Sequence, residues 1–126
     1  MRKVSILFRK APYGSVNNVE GFRVCTALAA YGAIGREQSE IDTNAIFIDD
    51  GVFAALKGQD PKGIGLPPEE SAYKKLVDLD VKLYILEEAL RERGIAREDL
   101  IETEYTIIDR SMLSELISQS DFTMSF

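Results

Sequence analysis

The chain is predicted to be an α/β protein: three layers, α/β/α, around a mostly parallel central sheet of about five strands. Three observations carry that prediction. Short apolar runs at residues 4–8, 45–48, 81–86 and 105–108 are rich in Val, Ile, Leu, Ala, Phe and Tyr and read as buried strands. The segments between them carry apolar residues at helical spacing. Finally, Ile46-Phe47-Ile48-Asp49-Asp50-Gly51-Val52-Phe53-Ala54-Ala55-Leu56 runs an apolar strand through two acids and a glycine into a short amphipathic helix, with Gly58 at its end.

The elements follow in order. The first strand is expected at 4–8. Residues 9–18 hold Pro12, Gly14 and two asparagines and form a loop. A helix starts near Asn17 or Asn18, either of which is suited to cap free N–H groups. Glu20 sits in its first turn, where negative charge suits the dipole. Phe22, Cys25 and Ala29 share one face, and Gly32 and Gly35 are expected to end the helix. After a polar connection the second strand spans 45–48, and Asp50 is expected to cap a short helix at 52–56. Residues 59–68 collect Pro and Gly and read as irregular. A helix at 69–79 precedes the third strand at 81–86. A helix at 87–93 then closes on Gly94. One helical turn at 97–100 leads to the fourth strand at 105–108. Asp109 or Ser111 caps a last helix running to Gln119, with Met112, Leu113, Leu116 and Ile117 expected to face inward. Residues 121–126 close the chain as a short strand.

With 126 residues, one domain spanning 1–126 is expected. The net charge of −6, from 21 acids and 15 bases, argues against a nucleic-acid binder, because such binding rests on neutralising phosphates. Histidine is absent and Cys25 is the one cysteine. That removes Ser-His-Asp and Cys-His mechanisms and the commonest zinc ligand. A single cysteine forms no internal disulfide, which suits a reducing compartment. The N-terminal apolar run is broken at Arg9 and Lys10, so it does not read as a signal peptide, and no stretch is long enough to span a bilayer. A cytoplasmic location is expected.

In a parallel sheet, ligands sit outside the carboxyl ends of the strands. This directs attention to the loops at 9–18, 49–51, 86–88 and 109–111. In the first, Arg9, Lys10, Tyr13 and Asn17 form an interface segment or an anion loop, since two bases, free amides and a helix dipole suit an anion. The absence of G-x-G-x-x-G and of the Walker lysine pattern favours the structural or interface reading. Asp49 and Asp50 are paired carboxylates of the kind that bind Mg²⁺ or divide acid and base roles. Adjacent strand residues point to opposite sides, however, so one capping a helix and one facing solvent is expected. Cys25 lies inside a helix on an Ala-rich and aromatic face and reads as a small buried hydrophobe rather than a nucleophile. At the third strand-to-helix junction a thiol would meet the positive end of a helix dipole, but this chain has Leu86 there.

Several blocks resemble the DsrE/DsrF/TusC family of sulfur-relay proteins, in its DsrF/TusC branch. They are Ser5-Ile6-Leu7-Phe8 running to Ala11-Pro12-Tyr13-Gly14, Glu20-Gly21, Ile48-Asp49-Asp50-Gly51-Val52-Phe53 with Gly58-Gln59, Leu90-Arg91-Glu92-Arg93-Gly94, and Ser120-Asp121 running to Phe126. The Asp-Gly-Val-Phe and Leu-Arg-Glu-Arg-Gly blocks are the most specific. The resemblance implies a heterohexamer with DsrE/TusD-like and DsrH/TusB-like sister subunits. It also implies relay of persulfide sulfur through the DsrE/TusD cysteine to a DsrC/TusE-like acceptor. The pathway that the resemblance implies is tRNA 2-thiouridine synthesis or dissimilatory sulfur oxidation. The carrier cysteine of the family matches Leu86 here, and Cys25 inherits no role from it.

The expected function is therefore a non-catalytic subunit of a sulfur-transfer complex, with no catalytic, cofactor-binding or metal-binding residues of its own and no direct contact with nucleic acid or membrane. Tyr13, Tyr73, Tyr84, Phe122 and Phe126 are candidate interface contacts. Two alternatives stand beside it: a stand-alone sulfur carrier using Cys25, and a homo-oligomeric module binding a small anion or nucleotide through the 9–18 loop.

Overall fold

The computed structural model describes residues 2–34, 41–59 and 69–126. Five strands form one sheet in the order β4-β3-β2-β1-β5, and every pair is parallel. Strand β1 (Arg2–Phe8) lies between β2 (Ile41–Phe47) and β5 (Phe122–Ser125). Its register sets Phe8 beside Phe47 and Val4 beside Phe122. Strands β3 (Lys82–Leu86) and β4 (Thr106–Ile108) extend the sheet beyond β2. The α/β/α expectation holds, and β1 and β2 begin earlier than the apolar runs because parallel pairing recruits Arg2, Lys3 and Ile41–Asn44 into the ladder.

Strand alternation sends Val4, Ile6 and Phe8 to one face. Helix α1 (Asn17–Ile34) covers that face with the buried Phe22, Cys25 and Ala29. The helix continues through Gly32. Gly35 and the loop at 60–68 lie outside the described residues. Helix α2 (Glu69–Asp78) adds the buried Tyr73 and Leu76. An aromatic cluster results. Phe8 stacks on Phe47 with centroids 4.7 Å apart and planes at 15°. Tyr73 meets Phe22 edge-on at 5.2 Å and 86°. Such offset and edge contacts add to the area the rings bury. Gly21 is required here, since a Cβ would run into the Phe8 ring. Tyr73 is thus a core residue, 1% exposed, and not an interface residue.

Ser5 points to the other face, where its hydroxyl meets that of Ser120 at 2.6 Å. Helix α4 (Arg110–Gln119) lies on that side of β1. Asp109 is its N-cap, with Oδ1 accepting from the Met112 N–H at 2.8 Å, as the sequence predicts. The inward packing expected of its apolar side chains is not complete. No residue of α4 is buried, and Met112 is 43% exposed. The amphipathic spacing is real, but β5 sits at the sheet edge and leaves the helix little surface to cover.

Candidate functional site

Because all five strands run in parallel, the loops after β1, β2, β3 and β4 emerge at one edge of the sheet. Several contacts tie that edge together. The Arg9 N–H donates to the Phe126 carbonyl at 2.8 Å, and the Ile48 N–H donates to the Phe8 carbonyl at 3.0 Å. Gly51 lies directly against the Phe8 carbonyl, where a Cβ has no room. Asp49 accommodates this approach with a φ of 47°, a left-handed conformation that Asp tolerates better than most residues. Arg110 and Glu88 pair at 2.8 Å, joining the start of α4 to the start of α3 (Glu87–Glu92).

The two acids after β2 do not act as a pair. Both belong to a 3-10 helix, Asp49–Ala55, whose N-cap is Ile48 with no side-chain cap bond. Asp50 therefore caps nothing. Its Oδ1 accepts from Arg93 Nη2 at 3.0 Å and Nε at 3.1 Å. The same guanidinium donates to the Ala89 carbonyl at 3.2 Å and lies 5.9 Å from the centroid of the Phe53 ring. The two most specific sequence blocks thus clamp each other, which is a structural role: Arg93 holds α3 against the 3-10 helix. Gln59 closes that helix, its Nε2 donating to the Leu56 carbonyl at 2.8 Å, and Gly58 makes the turn at a φ of 78°. Gly94 ends α3 at a φ of 64°, as expected of a glycine cap.

The thiol question resolves on geometry. Cys25 is 0% exposed in the middle of α1, and burial pushes its thiol up to about 12. A nucleophilic or persulfide-bearing cysteine needs access and a stabilised thiolate, and Cys25 has neither. At the β3-to-α3 junction, Leu86 is buried at the head of α3. Among the described residues, the carboxyl edge of this sheet therefore presents no thiol.

Of the remaining predicted residues, Arg9, Lys10, Asp49 and Asp50 are exposed, and Tyr13 and Asn17 are half-buried. All lie at the carboxyl edge: Arg9, Lys10 and Tyr13 on the loop after β1, Asn17 at the start of α1, and Asp49 and Asp50 at the start of the 3-10 helix after β2. Tyr84 and Phe126 are half-buried, and Phe122 is 65% exposed on the edge strand β5. Sequence reasoning missed a cleft of about 870 Å³ at the opposite, amino-terminal end of β3 and β4. Lys57, Lys82, Arg97, Glu98, Tyr84 and Tyr105 are among its walls. It forms because the segment at 97–105 folds back, with the Ile101 N–H donating to the Ala55 carbonyl at 2.9 Å. No local signal marks that contact.

The fold and its edge define a class: a parallel α/β protein of three layers whose strand-to-helix junctions, among the described residues, carry no thiol. The chain belongs to the DsrE/DsrF-like family, whose family model matches residues 2–126. It is 32% identical to the intracellular sulfur oxidation protein DsrF of Allochromatium vinosum, over all of this chain and 97% of that protein. It is 34% identical to a TusC homologue of Vibrio parahaemolyticus over the full length of both. Among solved structures, the YchN protein of Escherichia coli superposes over the whole of both chains with a TM-score of 0.82 at 25% identity. No helix among the described residues is long and apolar enough to cross a membrane.

Proposed function

We propose that this chain is a non-catalytic subunit of a sulfur-relay complex, and that the persulfide is carried by a cysteine on a DsrE/TusD-like partner. One observation supports this reading above the others: the chain's single thiol, Cys25, is sealed beneath α1, while the junction where a helix dipole would activate a thiol holds Leu86. A family member built this way contributes shape rather than sulfur chemistry. Its relative in Allochromatium vinosum is named for intracellular sulfur oxidation, which suits a role beside a sulfur carrier.

The surface agrees with a subunit. Met112 on α4 is exposed, and so is Phe122 on the edge strand β5. Apolar side chains left open at a sheet edge invite cover by another chain. The partners in this reading are DsrE/TusD-like and DsrH/TusB-like subunits, with a DsrC/TusE-like protein accepting sulfur from the assembly in tRNA thiolation or sulfur oxidation.

Native mass spectrometry of the tagged protein from its own cells tests the reading. A hetero-oligomer containing two other α/β chains of similar size is expected. A homo-oligomer with no other subunit would reject it. The Cys25 carrier reading has its own check: complete protection of Cys25 from a mild thiol reagent in the native protein is expected, and stoichiometric labelling would revive it.

A further inference from the structure

The cleft at the amino-terminal end of β3 and β4 belongs neither to the carboxyl edge nor to the α4 face, and the subunit role leaves it unused. It forms where the sheet falls short. β4 pairs with β3 only from Tyr84 onward, so Lys82 and Leu83 border the cleft with no strand beside them on that side. The returning segment is pinned across the gap. The Lys57 N–H donates to the Asp99 carbonyl at 2.9 Å, Leu56 and Leu100 form an antiparallel bridge, and the Ile101 N–H donates to the Ala55 carbonyl at 2.9 Å. These main-chain contacts hold the wall in place without a ligand. The volume, about 870 Å³, lies within the range of small-molecule sites, roughly 300–1,000 Å³.

The lining has two parts. The floor is apolar: Val81, Leu83, Leu100 and Ile101 are buried residues that border the cleft. Tyr84 and Tyr105, both half-buried, add rings with polar tips. The rim carries both signs of charge. Lys57 and Arg97 flank the Leu56–Leu100 bridge, with Glu98 beside Arg97. Glu102 and Glu104 follow on the stretch that runs to β4, and Asp80 comes from the turn that ends α2. Lys82 is engaged by Asp42 at 3.8 Å, but none of these other six belongs to an ion pair among the described residues. Asp80 has a φ of 63°, in a turn where the Val81 N–H donates to the Leu76 carbonyl at 3.0 Å. Such a helix end favours glycine, yet this chain places a carboxylate there.

Opposite charges that border one cleft without meeting each other call for a molecule that carries both signs. A purely anionic ligand would meet the acids, and a purely cationic one would meet Lys57 and Arg97. The floor asks for an apolar body between the ligand's charges. An uncapped peptide or amino acid with an apolar side chain has all three parts: a carboxylate for the two cations, an ammonium group for the acids, and a side chain for the floor. We propose that this cleft binds such a zwitterion, a short peptide or a free amino acid, with its carboxylate toward Lys57 and Arg97 and its ammonium group toward Glu102 and Glu104. The cleft lies at the opposite end of the sheet from the carboxyl edge, so the proposal is independent of the sulfur-relay reading.

Isothermal titration calorimetry of the full chain with the tripeptide Ala-Phe-Ala, its N-acetylated and C-amidated forms, and phenylalanine tests it. Saturable binding of the uncapped tripeptide is expected, and either cap should weaken it about tenfold, the effect of one lost hydrogen bond to a charged group. Two variants locate the ends. Lys57→Ala/Arg97→Ala should weaken the uncapped tripeptide about tenfold and leave the amidated form unaffected. Glu102→Gln/Glu104→Gln should weaken the uncapped tripeptide similarly and leave the acetylated form unaffected. Asp80→Gly is expected to fold at least as stably as the parent and to bind the uncapped tripeptide more weakly, a combination that a purely structural Asp80 would not give. Phenylalanine binding as tightly as the tripeptide would assign the cleft to a free amino acid. No saturable binding of either, equal affinity for capped and uncapped tripeptides, or an undiminished affinity of the Lys57→Ala/Arg97→Ala variant for the uncapped tripeptide would each overturn the proposal.

Discussion

Helices α1 and α4 both pack on β1, from opposite faces, yet they are built differently. α1 buries Phe22, Cys25 and Ala29 against Val4, Ile6 and Phe8, and its glycine at position 21 brings it close to the Phe8 ring. α4 buries nothing completely and meets β1 through a serine–serine hydrogen bond at 2.6 Å. The first is the interior of a monomer. The second has the apolar spacing of a packed helix but only partial packing, with Leu113 half-buried against the core. The difference teaches that the buried core is concentrated beneath α1 and α2, while α4 leaves its apolar side chains partly open.

The contrast makes graded predictions. Phe47→Ala removes the ring stacked on Phe8 and packed on Tyr73. A loss of about 3–5 kcal/mol in urea unfolding is expected, as for other buried aromatics. Gly51→Ala forces a Cβ into the Phe8 carbonyl and is expected to cost about 1–3 kcal/mol by overpacking. Cys25 gives a pH signature. Its folded pKa is raised to about 12 by burial, above the unfolded thiol at roughly 8.5. The folded state therefore holds the proton more tightly. The stabilisation is complete below the unfolded pKa and is lost as pH rises through it. Denaturant titrations should show a loss of about 1 kcal/mol between roughly pH 8.5 and 9.5, and Cys25→Ala should remove that slope. On the α4 side, Met112→Ser and Phe122→Ser should change the stability of the isolated chain by no more than about 0.5 kcal/mol. The same variants should lose partner subunits in pull-downs. Large destabilisation by either would mean that this face is already part of the core.

How much of this was legible beforehand follows from where each signal resides. Strand β3, the glycine cap at Gly94 and the Asp109 cap are local events, and local spacing reveals them. Burial of Cys25 was readable because its helical neighbours at spacings of three and four are apolar. Tyr73 is ambiguous in the sequence because a tyrosine on an amphipathic helix looks alike whether it faces a core or a partner. Only its edge contact with Phe22, 51 positions earlier in the chain, decides it. The role of Asp50 was hidden for the same reason. A carboxylate ahead of a short helix reads as a cap, but Arg93 offers it a charged partner. The cleft beside β3 and β4 depends on the return of residues 97–105 to Ala55, which no period or composition encodes. Asn18 was visible as a possible cap, whereas its burial and its missing partners were not.

The central claim is that sulfur passes through the assembly without residing on this chain. The most direct test exposes the purified complex to a persulfide donor and reads each subunit by intact-mass spectrometry. A one-sulfur mass increase on a cysteine-bearing partner, with this chain unchanged, is the predicted result. A one-sulfur increase on this chain, whose only acceptor is Cys25, would contradict the account.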